Sequence, residues 1–100
     1  MGARSEVHVV AHPFPVVYDA LQRCLPPAGF RITGTDPDRG RLTVETRNTR
    51  LTVAVGAVDA ITTEWVATAE LKLGLLRDRH EQKFAAIRDA LDRYLATYYG

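Results

Sequence analysis

The side chains able to do chemistry are few. The 100 residues hold three histidines (His8, His12, His80), one cysteine (Cys24) and one serine (Ser5). His8 and His12 lie four residues apart at an extended segment, roughly 13 Å along a strand, too far to share one ion at ordinary zinc distances. His80 is remote in sequence, so no ligand spacing proposes a metal. Cys24 beside a histidine could make a nucleophile and base. Its helical spacing puts it on an apolar side, where a cysteine acts as a small buried hydrophobe. Ser5 precedes the first structured run. Glu45, Glu64 and Glu70 fall on the wet side of strands, each near a basic residue or a threonine, and form no acid–base pair. The seven glycines stand singly, so no phosphate-cradling loop is present. The sequence therefore names no catalytic residue, metal or cofactor, and the expectation is a non-enzymatic protein.

The charge budget points the same way. The formal net charge is +1, which supplies no long-range pull toward nucleic acid or an anionic membrane. Eleven of the thirteen basic residues are Arg, a bias that a GC-rich, bacterial genome produces by codon usage. Hydrophobic residues are 46% and charged residues 25%, ordinary globular values. The length fits one domain, expected to span 1–100 with residues 1–5 flexible. A lone cysteine permits no internal disulfide and fits a reducing, cytoplasmic setting. No apolar run reaches membrane-spanning length, and the first residues lack a signal core.

The elements that position these residues follow from periodicity. Residues 6–11 alternate as a first strand, with Val7, Val9 and Ala11 on one side and His8 and Val10 on the other. A helix over 15–25 starts at Pro15, where a missing N–H costs nothing, and carries Phe14, Val17, Leu21, Cys24 and Leu25 on one face. Strands follow at 30–35, 41–47, 50–57 and 61–73. Their turns are 36–40, 48–49 and 58–60, with Gly40 supplying a positive φ. Inward positions are Phe30, Ile32 and Gly34; Leu42, Val44 and Thr46; Leu51, Val53, Val55 and Ala57; and Ile61, Thr63, Trp65, Ala67, Ala69, Leu71 and Leu73. A last helix over 79–98 is capped by Asp78 with Glu81. It bears an apolar stripe of Phe84, Ile87, Leu91, Tyr94, Leu95 and Tyr98, and an Asp89–Arg93 pair on its wet side.

The expected fold is α+β: a five-stranded antiparallel sheet, element order βαββββα and strand order 2-3-4-5-1, with both helices on one face. Counting through the turns aligns an inner row Ile32–Val44–Val53–Trp65 and outer rows Arg31–Glu45–Thr52–Val66 and Thr33–Thr43–Ala54–Glu64. It also sets Arg47 opposite Arg50, beside Thr68. Arg31, Arg47, Arg50 and Lys72 thus gather toward one end of the outer face.

That outer face is where interaction is expected. Ala54, Gly56, Val66 and six threonines make much of it small, flat and uncharged, suited to packing on another sheet, and the residues expected to take part are Arg31, Thr43, Glu45, Arg47, Arg50, Thr52, Ala54, Val66 and Thr68. The partner expected is a protein, a second copy in a homodimer being the simplest case. Without aromatic residues the face has no stacking platform, which disfavours nucleic acid. The alternative is a small apolar ligand in a pocket between the sheet and the C-terminal helix, near Trp65, Tyr94 and Tyr98, with Ala67 and Ala69 leaving room.

A resemblance supports the alternative. Val9-Val10-Ala11-His12-Pro13-Phe14-Pro15-Val16-Val17-Tyr18-Asp19-Ala20-Leu21, then Gly29-Phe30-Arg31-Ile32, then Asp38-Arg39-Gly40-Arg41-Leu42, resembles the opening of two α+β groups. They are the START-like helix-grip proteins, which bind lipids and polyketides, and the small βαββββα domains of bacterial envelope lipoproteins. The resemblance implies a fold and carries no functional residue.

Overall fold

A computed structural model describes residues 4–47, 49–71 and 80–99. Its elements are β1 (Arg4–Val10), α1 (Phe14–Cys24), a 3₁₀ turn (Pro26–Ala28), β2 (Arg31–Asp36), β3 (Arg41–Glu45), β4 (Thr49–Asp59), β5 (Thr62–Leu71) and α2 (His80–Tyr98). The strands form one antiparallel sheet in the order β1-β5-β4-β3-β2, the topology expected. The Asp78 cap, Lys72 and Leu73 fall outside the described residues. Among those described, no helix is long and apolar enough to cross a membrane.

Side-chain parity follows the alternation in β3 and β4, but the turns move the registers. Thr46 N–H donates to the Thr49 carbonyl at 2.9 Å, so β3 and β4 are joined through 47–48, one residue earlier than counted. Leu42 therefore faces Val53, and Val44 faces Leu51. β4 runs on to Asp59 through an irregularity after Ala57, which aligns Val55 with Trp65 and Val53 with Ala67. Each pairing slips by two residues, and a slip of two preserves faces. The inner row through Ile32 is thus Ile32–Val44–Leu51–Ala69.

Three inward assignments are corrected. Gly34 pairs with outward Thr43, because a bulge after Ile32 flips the phase of β2. Ile61 lies in the β4–β5 turn and is 70% exposed, its N–H accepted by Asp59 Oδ1 at 2.9 Å. Ala57, beside the second irregularity, is also exposed.

One core lies between the inner sheet face and the helices. Val17, Leu21 and Leu25 come from α1 and its exit. Leu42, Val44, Leu51, Val53, Trp65, Ala67 and Ala69 come from the sheet, and Phe84, Ile87, Leu91 and Leu95 from α2; all are buried. Two polar contacts tie α1 and the segment leading into it to the sheet. Tyr18 Oη donates to the Arg41 carbonyl at 2.8 Å, and Thr63 Oγ1 donates to the His12 carbonyl at 2.6 Å. Gly40 closes the β2–β3 turn at φ 67° with its carbonyl accepting Val55 N–H at 2.7 Å.

Candidate functional site

The helical layer carries a groove of about 390 Å³. Its walls are the end of α1 (Arg23, Cys24), the 3₁₀ turn (Pro27, Ala28) and the last turns of α2 (Ala90, Arg93, Tyr94, Thr97, Tyr98). Among the described residues, none from the sheet lines it. The local sequence explains the shape. Two prolines and a small Ala28 tighten the chain after α1, and Gly29 at φ 98° reverses it, a left-handed exit that glycine makes without strain. That leaves a low shoulder against which α2 lays two tyrosines.

Tyr94 and Tyr98 sit ring to ring at 4.5 Å with a 41° tilt. Desolvation raises the Tyr94 phenol above its ordinary value, with Arg23 pulling the other way, so at neutral pH it is a hydrogen-bond donor. Cys24 closes the floor. Burial pushes its thiol up to about 11, and its Sγ points to the Leu21 carbonyl at 3.9 Å. At neutral pH it is an uncharged, unreactive wall. The rim is basic. Arg23 uses Nε alone on both Asp19 oxygens, at 3.1 and 3.0 Å. The expected Asp89–Arg93 pair does not form: Asp89 is taken by Arg88 at 3.3 Å, and among the described residues Arg93 makes no ion pair.

Of the three residues expected around a pocket, the groove gathers two. Tyr94 is half-buried, while Tyr98 stands 67% exposed at the last turn of α2 rather than in the core stripe. Trp65 is buried in the sheet-facing core, its ring stacked on His8 at 4.6 Å. His8 in turn is held by Glu6, Nε2 to Oε1 at 2.9 Å. This Glu6–His8–Trp65 cluster was missed in the sequence, although the spacing of two in Glu6-Val7-His8 already places both polar groups on one strand face.

The nine outer-face residues are laid out differently from the count. Glu45 lies between Arg31 at 3.2 Å and Arg50 at 3.4 Å, and Arg50 aligns with Glu70. The row is therefore alternating charge, not an Arg cluster, and Arg47 sits in the turn, exposed. Thr43, Thr52 and Thr68 form the next row. Ala54 aligns with Val66 and Val66 with Val7, beside a shallow depression of about 240 Å³. Val7 and Val9, on this face, are 57% and 66% exposed.

This arrangement, an antiparallel sheet gripped on one side by a short N-terminal and a long C-terminal helix, is a START-like helix-grip fold. The solved structures similar to it include a START superfamily protein from Mycobacterium smegmatis. That match has 9% identity and a TM-score of 0.52, covering 95% of this chain and 94% of that one. Another is the Zhui aromatase/cyclase from Streptomyces sp. R1128, with 17% identity and a TM-score of 0.51, covering 95% and 86%. No protein-family model matches the sequence, and no curated protein matches it.

Proposed function

We propose that this domain binds a small, largely apolar molecule in the groove between α1, the Pro26–Ala28 turn and α2. The observation that carries the reading is the groove itself. Its volume of about 390 Å³ falls in the range of small-molecule sites, and its Pro, Ala, Cys and Tyr surface with a few polar tips is the usual composition of such sites. The fold lends support at the level of analogy, since one protein sharing it is an aromatase/cyclase. The reading assigns this chain binding and no reaction.

The test is a neutral apolar probe. N-phenyl-1-naphthylamine is expected to gain fluorescence on binding. Ala28→Trp, at an exposed lining position, is expected to fill the groove and weaken binding at least tenfold without moving the thermal midpoint. Equal binding by wild type and the variant, or none by wild type, would refute the reading.

A second reading is self-association through the outer sheet face. Exposed Val7 and Val9 beside Val66 and Ala54 favour it, because contiguous apolar surface on a sheet face is a common contact site. Sedimentation at rising concentration is expected to show a dimer, with Val9→Lys returning it to monomer. A strict monomer at millimolar concentration would dismiss the idea.

A further inference from the structure

Building on the groove reading, we infer that its ligand is an organic acid: an apolar body lying against the Tyr, Ala and Pro lining and one carboxylate held between Arg23 and Arg93.

The inference rests on where the two guanidiniums stand. They enter the same groove from opposite walls, Arg23 from α1 and Arg93 from α2. Both side chains are exposed at its rim. Arg93 makes no ion pair among the described residues, and Asp89, four residues before it, is engaged by Arg88. Arg23 spends Nε on Asp19, and its terminal nitrogens have no partner among the described residues. A guanidinium presents several donors in a planar fork that suits a carboxylate.

The charge at the rim sets the ligand's charge. Two guanidiniums against the single Asp19 carboxylate leave one net positive charge, which a monoanion neutralises and a dianion overshoots. The Tyr94 phenol adds a neutral donor coupled to Arg23. The apolar part of the lining is Cys24, Pro27, Ala28 and Ala90, and the protonated thiol adds no negative charge to repel an acid. The groove thus sets two cations beside an apolar lining.

The experiment compares matched acid and neutral probes on the whole domain by calorimetry: 2-naphthoate against 2-naphthamide, and decanoate against decanol. At low salt at least one acid is expected to bind tenfold or more tighter than its neutral partner. Raising ionic strength should shrink that ratio. Arg93→Gln is expected to remove most of the preference and Arg23→Gln part of it, read as the acid-to-neutral affinity ratio within each variant, with the thermal midpoint unchanged. Wild-type affinities equal within each pair would overturn the acid assignment and leave the apolar-groove reading standing. A preference that survives both Gln substitutions would overturn the role of the two arginines. Binding by none of the four, together with no response to N-phenyl-1-naphthylamine, would bring down both.

Discussion

Gly40→Ala is expected to remove much of the domain's stability, on the order of 3–5 kcal/mol, read as a fall in the urea midpoint. Two effects add at this position. Gly40 has φ 67°, a left-handed conformation that costs a residue with a Cβ about 1–2 kcal/mol. A Cβ built there would also lie 2.2 Å from the Val55 carbonyl oxygen and 3.0 Å from Phe14. The first obstacle is backbone of a central strand, joined to the same turn by the Val55–Gly40 hydrogen bond, so relief requires parting β4 from the turn. Gly29→Ala is the internal control. Gly29 has φ 98° but nothing within 4 Å of its Cβ position, so only the conformational cost applies, about 1–2 kcal/mol. Equal losses at both sites would show that the contact with Val55 contributes nothing. A small domain holds only about 5–15 kcal/mol in total, so the larger loss is a large share of it.

The second large effect is at Trp65. Trp65→Ala is expected to cost about 3–5 kcal/mol, measured by circular dichroism against urea because the variant loses the only tryptophan. The ring is 1% exposed, so its removal opens a cavity between sheet and helices and strips His8 of its stacking partner. His8→Ala should cost far less, about 0.5–1.5 kcal/mol, the range for ring pairs beyond their burial. Trp65→Phe keeps most of the volume and should leave probe binding within twofold, because Trp65 does not line the groove. A tenfold loss of N-phenyl-1-naphthylamine affinity in a well-folded Trp65→Phe would place the ligand under α2 against the sheet instead.

Legibility differed by type of information. Strand alternation exposed the inner residues Leu42, Val44, Leu51, Val53, Trp65, Ala67 and Ala69, because facing depends only on local parity. Which residue stands opposite which was less accessible. It depends on where each turn closes, and a turn taking Thr46 to Thr49, or an irregularity after Ala57, carries little local signature. The outer-face arginines illustrate the cost: a slip of two replaced the expected Arg47–Arg50 pair with Glu45 opposite Arg50, extending the expected Arg31–Glu45 pair into a row whose charges compensate. Within the groove, Tyr94 and Tyr98 were read as one stripe by spacing alone, but Tyr98 lies a turn beyond the point where α2 still covers core.

The sequence by itself determined the element order, the antiparallel α+β class, the strand order and the polarity of both sheet faces, since all of these follow from period, turn chemistry and chain connectivity. Only the tertiary structure decided the registers, the Glu6–His8–Trp65 stack and the groove. Arg23 and Arg93 sit on what helical spacing marks as the solvated sides of two helices seventy residues apart. Nothing local distinguishes such residues from ordinary wet-face arginines. They become a pair because α1 and α2 pack side by side on one sheet, so that the margins of their wet faces meet over a shoulder of prolines and alanine.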